Sequence, residues 1–236
     1  MFDAATDVVQ VLDGLDGVSL LRAALVDVFP GRIAVVSSFG TESAVLLAMA
    51  AEIDPLVPVV FLDTGRHFAE TIGYRDSLSR RLGLRDVRTW HPDAAALAAR
   101  DPDLALAAED PDACCALRKV APLEWALDGF DAWISGRKRY QNHLRASLPP
   151  IERVDGRIKL NPLAGWSPAE VAAEHVRRGL PSHPLMAQGF RSIGCAPCTR
   201  PVAQYEDDRA GRWAGLAKTE CGIHRAADGR MVRAAH

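Results

Sequence analysis

The reactive chemistry of this chain rests on five cysteines, and their spacing sorts them into two pairs and a remainder. Cys114 and Cys115 are adjacent. Consecutive Cα atoms across a trans peptide lie ~3.8 Å apart, short of the roughly 4.4 Å at which disulfides begin, so these two thiols are poor partners for each other. Cys195 and Cys198 form a second pair spaced as Cys-x-x-Cys. Two plus two makes a four-thiolate site, the number that tetrahedral zinc or an iron–sulfur cluster takes. Cys221 is left over, inside Lys218-Thr-Glu-Cys-Gly-Ile-His224. A spare thiol is a candidate nucleophile once cationic neighbours hold it as the thiolate, and Lys218, Arg209, Arg212 and His224 are the candidates for that role.

Elements that must position these groups alternate along the chain. The apolar run Ile33–Ser38 reads as a buried strand, and Pro58–Leu62, Val87–Trp90 and Ala132–Ser135 read as further strands. Helical patterns at 44–53, 67–82 and 94–100 lie between them, which predicts right-handed βαβ units and a parallel sheet. Ligands of such sheets sit at the carboxyl ends of the strands. Ser38-Phe-Gly-Thr-Glu-Ser43 falls there, a small-residue turn into a helix whose free N–H groups make an anion site. It lacks the Gly-Lys-Ser/Thr ending of a Walker loop. Asp63-Thr64-Gly65 falls at the end of the next strand. Gly136–Arg145 follows the fourth with Arg137, Lys138, Arg139 and Arg145 and no acidic residue, and guanidinium forks suit phosphate and sulfate oxygens. Asp112 is placed to cap the helix bearing Cys114 and Cys115. Lys119, four residues beyond Cys115, shares its face and would offset thiolate charge. Residues 151–160 read as a hairpin with an Asp155-Gly156 turn, and Ser167 to Glu170 as a capping box.

Bulk properties narrow the function. The chain has 236 residues, 48% hydrophobic and 25% charged, with a net charge of −2. That balance argues against general binding to nucleic acid or a membrane surface. No apolar run approaches the ~18 residues of a membrane span, and the N-terminus has no signal-peptide pattern. An odd cysteine count without a signal peptide fits the reducing cytoplasm. The expected organisation is an α/β nucleotide-binding domain with N-terminal helices over 1–194, then a cysteine-anchored segment and catalytic tail over 195–236. The polar end of the chain is expected to be disordered.

Taken together, these segments resemble the sulfonucleotide reductases of assimilatory sulfate reduction, in the iron–sulfur branch that reduces adenosine 5′-phosphosulfate. Ser38–Ser43 is similar to that family's pyrophosphatase-type (PP-loop) phosphate loop, and Leu62-Asp-Thr-Gly65 to its second nucleotide-contacting motif. Gly136-x-Lys-Arg-x-Gln-x-x-x-Arg145 resembles the basic loop, with Lys138 where arginine is usual and Tyr140 where an acidic residue is. Cys195-x-x-Cys-Thr-Arg-Pro201 with Arg209-Ala-Gly-Arg-Trp213 resembles the substrate-clamping segment, and 218–224 the catalytic tail. The resemblance runs from about residue 32 to 224 in the right order.

The resemblance implies an α/β parallel-sheet fold of the adenine nucleotide α-hydrolase type and a [4Fe-4S] cluster on Cys114, Cys115, Cys195 and Cys198. It implies substrate contacts from Ser38, Gly40, Glu42, Ser43, Leu62, Asp63, Thr64, Gly65, Lys119, Gly136, Arg139, Gln141, Arg145, Arg209, Arg212 and His224. In the expected reaction the Cys221 thiolate attacks the sulfur of adenosine 5′-phosphosulfate, AMP leaves, and thioredoxin or glutaredoxin releases sulfite from the S-sulfocysteine. A homo-oligomer is compatible with this reading. The rivals are a reductase of the same fold acting on the 3′-phosphorylated nucleotide, a zinc-stapled nucleotide- or RNA-binding module without redox activity, and an ATP-dependent adenylating or thiolating enzyme. Glu42, in place of the usual aspartate, and the Cys221 tail count against the last.

Overall fold

A computed structural model describes residues 8–216 and 218–224. The polar chain end, expected to be disordered, lies outside the described residues, as does the first part of the N-terminal stretch read for a signal peptide. Two short helices open the chain, α1 (Val8–Leu12) and α2 (Gly17–Arg22), the second continuing through a π turn to Val28. Gly14 and Gly17, both at positive φ, separate them. The alternation then begins: β1 (Ile33–Val36), α3 (Ser43–Ile53), β2 (Val59–Leu62), α4 (Ala69–Leu82), β3 (Val87–Trp90) and α5 (Ala94–Arg100). Next come α6 (Leu106–Glu109), α7 (Pro111–Cys115), a π turn to Val120, α8 (Ala121–Ala126) and β4 (Ala132–Ile134). The hairpin β5 (Ile151–Val154) and β6 (Arg157–Leu160) follows, then α9 (Pro168–Arg177).

The six strands form one sheet in the order β3-β2-β1-β4-β6-β5. All pairings are parallel except that of β5 with β6, which places β5 antiparallel at one edge. Asp155 and Gly156 both take positive φ, 50° and 77°, as a two-residue turn with the twist of the flanking strands requires. Successive strand residues face opposite sides of the sheet. Ile33, Val35, Val59, Phe61 and Ile134 therefore enter the larger core with α2, α3, α4 and α9, whereas Ala34, Val60, Leu62 and Trp133 meet Leu123, Ala126 and Leu127 of α8 and its C-terminal end on the other face. Burial on both faces explains why β1, β2 and β4 read as unbroken apolar runs. Among the described residues, no helix is long and apolar enough to cross a membrane.

Chain direction across the sheet reverses at β1, because β2 and β3 lie to one side and β4 to the other. The loops leaving β1 and β4 consequently diverge and leave a crevice at their carboxyl ends.

Candidate active site

A cavity of about 260 Å³ occupies that crevice, lined by both loops, by Leu62 and His67 after β2, by Lys119 and by the tail. Ser38, Gly40, Glu42 and Ser43 line its β1 side, as expected for a phosphate loop. Phe39 takes φ 50° with its ring fully buried edge-on to Phe61 at 5.7 Å. The left-handed conformation costs about 1–2 kcal/mol, and core burial of the ring offsets it. Glu42 accepts hydrogen bonds from Lys138 Nζ at 2.9 Å, Gln141 Nε2 at 2.6 Å and the Tyr140 hydroxyl. Burial favours the neutral carboxyl, but Lys138 and the two neutral donors outweigh it and lower the Glu42 pKa. The two departures in the basic loop, Lys138 and Tyr140, are thus both partners of Glu42.

The basic loop differs from the expectation in three places. Arg139 is exposed and outside the cavity, its Nε donating to the Leu148 carbonyl at 2.9 Å. Arg137 and Lys138 line the cavity instead, together with Gly136, Gln141 and Arg145. Arg137 is paired with Glu152, and Arg145 with Glu220 of the tail, so neither is a free anion grip. Asp63, Thr64 and Gly65 also lie outside the cavity lining, which Leu62 alone of that motif reaches. They form a turn in which Asp63 Oδ1 accepts from Gly65 N at 3.0 Å, while Thr64 Oγ1 lies 3.2 Å from Cys195 Sγ. The Thr64 carbonyl accepts from Arg118, whose buried guanidinium also pairs with Asp101 at 2.6 Å. This turn supports the cysteine region.

Cys114 and Cys115 sit at the buried end of α7. The cap is Asp110, not Asp112: its carboxylate accepts from Asp112 N at 3.1 Å and Ala113 N at 2.9 Å. Asp112 instead pairs with Lys218 of the tail. Cys195 and Cys198 bracket a single 3-10 turn held by a hydrogen bond from Ala196 N to Arg66 O of 2.7 Å. Burial raises the Cys114 and Cys198 pKa values, and the negative charge of neighbouring cysteines adds to it, Cys195 and Cys198 on Cys114 and Cys195 on Cys198. Cys115 is raised chiefly by donating its thiol proton toward Cys221. Two distant chain segments therefore bring their thiols into one buried neighbourhood. Among the described residues, no three His, Cys, Asp or Glu side chains converge on the point that a single metal ion would need. The donor set, four thiols with a lysine beside them, fits a larger, sulfur-ligated and negatively charged group.

Cys221 lines the cavity from the tail. Its pKa is lowered well below the ordinary thiol value, by the Cys115 hydrogen bond first and by Lys119, the Ile223 N–H and Arg212 besides, against the opposing effect of burial. Lys119, which burial alone would make less basic, is instead raised by the charge of Cys195, Cys221 and Cys115. Arg209 donates to Thr219 O at 3.2 Å and Arg212 to Ile193 O at 3.3 Å. The Arg212 guanidinium stacks 4.4 Å above Trp213. Burial and the neighbouring Arg145 and Arg212 lower the Arg209 pKa to about 10. His224 Nδ1 lies 3.4 Å from Lys159 Nζ, and Ile223 packs into the smaller core.

Sequence reasoning missed His67, Lys159 and Glu220. The His67 Nε2–H donates to the Leu62 carbonyl at 3.0 Å, leaving a buried, unpartnered Nδ1. Its place right after the Leu62–Gly65 motif was the available signal. Lys159 carried none, since it and Arg157 alternate with apolar residues along β6.

Comparison with known proteins bears on the same residues. Residues 32–201 match the phosphoadenosine phosphosulfate reductase domain family. The chain is 54% identical over 194 residues to an adenosine 5′-phosphosulfate reductase of Chelativorans sp. (strain BNC1), covering 82% of this chain and 79% of that protein. It is 49% identical to the protein of that name from Mesorhizobium japonicum, covering 90% and 85%, and 41% identical to the one from Streptomyces coelicolor, covering 90% of each. Among solved structures, the phosphoadenylyl-sulfate reductase of Candida auris in its phosphate complex superposes with a TM-score of 0.67 at 28% identity, over 79% of this chain and 91% of that one. Yeast FAD synthetase shares the fold alone, with a TM-score of 0.55 at 19% identity over 85% of this chain and 70% of its own. With its phosphate-loop crevice, its two cysteine pairs and a tail cysteine over the cavity, the chain belongs to the phosphoadenosine phosphosulfate reductase family, among relatives named adenosine 5′-phosphosulfate reductases.

Proposed function

We propose that this protein reduces adenosine 5′-phosphosulfate, with Cys221 as the nucleophile. The observation that carries the reading is electrostatic. Lys119, Arg209 and Arg212 line the cavity with Cys221, and among the described residues none of the three has a carboxylate partner. Their three positive charges match a dianionic phosphosulfate plus a thiolate. The other cavity cations, Arg137, Lys138, Arg145 and Arg191, are each paired with a carboxylate.

In the proposed first step the Cys221 thiolate forms a bond to the sulfur of the substrate as the bond from sulfur to the bridging oxygen breaks. AMP departs with that oxygen and its electron pair, and needs no strong acid to leave. Lys119, Arg209 and Arg212 screen the repulsion between two anions and stabilise the spreading charge, which fixed cations in a water-poor site do without reorganising. The S-sulfocysteine then meets a dithiol protein of the thioredoxin or glutaredoxin class. One of its thiolates attacks Cys221 Sγ and expels sulfite, and its second thiol resolves the mixed disulfide, so the dithiol supplies the two electrons.

Cys114, Cys115, Cys195 and Cys198 would hold a [4Fe-4S] cluster, whose contribution when bound is structural and electrostatic. Lys119 would lie between its thiolates and the reacting sulfur. Four thiolates also suit a zinc staple, and iron content with visible absorbance separates the two. The relatives' name favours the 5′-phosphosulfate over its 3′-phosphorylated form, and the cysteine usage fits a cytoplasmic enzyme in which 1–194 binds nucleotide and 195–236 carries the nucleophile. Replacing Cys221 with Ser tests the assignment: sulfite production should fall to background while AMP affinity and cluster absorbance persist. Sulfite formation by Cys221→Ser would contradict it.

A further inference from the structure

Cys221 is useful only if the tail that carries it is seated, and the residue beside it is the most firmly held of that segment. Glu220 is 5% exposed. Its Oε1 accepts from Arg145 Nε at 2.5 Å and from Asn142 Nδ2 at 2.5 Å, and its Oε2 from Arg145 Nη2 at 2.7 Å. Burial favours a neutral carboxyl here, but the Arg145 hydrogen bonds and charge outweigh it and the pKa falls. The receptor is also held by contacts that do not involve the tail: Asn142 Oδ1 accepts from Arg145 N at 3.0 Å, and Arg145 Nη1 donates to Gln141. The Nε–Nη2 edge of Arg145 is the fork that would take an anion with two parallel bonds, and Glu220 occupies it.

We infer that Glu220 is a positioning residue that seats Cys221, with Arg145 and Asn142 of the basic loop as its receptor. Arg145 thereby holds the tail, and anion binding falls to the unpaired Lys119, Arg209 and Arg212. The inference rests on Cys221 being the nucleophile. Glu220 acts one residue from it, on the cavity side, while Ile223 anchors the opposite flank in the smaller core. Loss of the carboxylate leaves Arg145 buried without its counter-charge, so the tail should rise while the nucleotide site keeps its free cations.

The test uses protein purified anaerobically, with AMP, adenosine 5′-phosphosulfate and iodoacetamide as probes. In Glu220→Gln the single-turnover rate of S-sulfonation at saturating substrate should fall about a hundredfold, the order expected when a reacting group is misplaced by roughly 1 Å. AMP affinity should be unchanged or tighter, because the Arg145 fork is released. Alkylation of Cys221 without nucleotide should speed up by about fivefold or more as the seated state loses population. Glu220→Asp, which keeps the charge but shortens the reach, should fall between. Should Glu220→Gln fail to fold, Asn142→Ala removes its bond to Glu220 together with the cap it gives Arg145 N, strands no charge, and should move both rates the same way. Sulfonation and alkylation within about twofold of wild type would overturn the latch, as would an AMP affinity that fell in step with the rate. Wild-type protein that formed no S-sulfonate would refute the nucleophile instead, and the alkylation contrast would still decide the latch.

Discussion

At the scale of single residues, the site is decided by which charges are already spent. Arg137, Lys138 and Arg145 look like the anion grip in the sequence, yet each is matched to a carboxylate from a distant part of the chain. Among the described residues, the cavity cations without a carboxylate partner are Lys119, Arg209 and Arg212, and the last depends on a glycine. A Cβ on Gly194 would lie 2.3 Å from Arg212 Nη2 and 2.6 Å from its Cζ. Gly194→Ala therefore has to push that guanidinium from its place above Trp213. The substitution should weaken AMP binding by about tenfold, the loss of one charge-assisted contact of ~1.5 kcal/mol, with little change in thermal stability because the displaced group is a side-chain end. Calorimetric titration with AMP checks this, and unchanged affinity would remove Arg212 from the anion site.

At the scale of elements, β6 carries the least expected group. Lys159 is fully buried on its inner face, 4.5 Å above the Trp133 ring and 3.9 Å from Glu152. Burial, followed by the charge of Arg137 and Arg145, depresses its pKa to about 7 against the opposing pull of Glu152. Because the folded value lies below the unfolded one, near 10.4, the unfolded chain binds the extra proton between about pH 7 and 10. Stability should therefore rise with pH across that window. Lys159→Met removes this dependence. The unfolding free energy of wild type minus that of the variant, from denaturant titrations at each pH, should climb from pH 7 to pH 10; a flat difference would show that Lys159 is charged in the fold at pH 7.

Most elements were legible because each had a local cause. The strands read at Ile33, Pro58, Val87 and Ala132 formed within a residue or two of their expected ends; burial in a mostly parallel sheet demands continuous apolar side chains in the inner three, whereas Val87–Trp90 lies at the sheet edge with Arg88 and Thr89 exposed. The Asp155-Gly156 turn and the Ser167–Glu170 capping box formed as read. The failures share the opposite character. Asp110 and Asp112 both precede the cysteines and are cap residues by type, but the helix starts at Pro111, which leaves Asp110 as the cap; Asp112, inside the first turn, pairs with Lys218, 106 residues away. Arg137 lies on the irregular stretch leaving β4 whereas Arg139 opens a 3-10 turn (Arg139–Gln141), so the path of the loop decides which faces the cavity. Glu42 meeting Lys138, and Glu220 meeting Arg145, are pairings across 96 and 75 residues that local pattern does not encode.

For the whole molecule, the proposed reaction uses the crevice between β1 and β4 as the nucleotide site, with the tail delivering the thiol. The tail is tied at Lys218 to Asp112, at Glu220 to Arg145, at Ile223 to the smaller core and at His224 to Lys159. A seat of that kind suits the first half-reaction. The proposed second half-reaction offers Cys221 to another protein, which would call for the tail to open. The most direct test of the account is intact-protein mass spectrometry of anaerobically purified enzyme, incubated without reductant and separately with adenosine 5′-phosphosulfate and its 3′-phosphorylated form. The account predicts one sulfonate adduct, mapped to Cys221, formed far faster from the former. An intact cluster with no adduct from either nucleotide would contradict it.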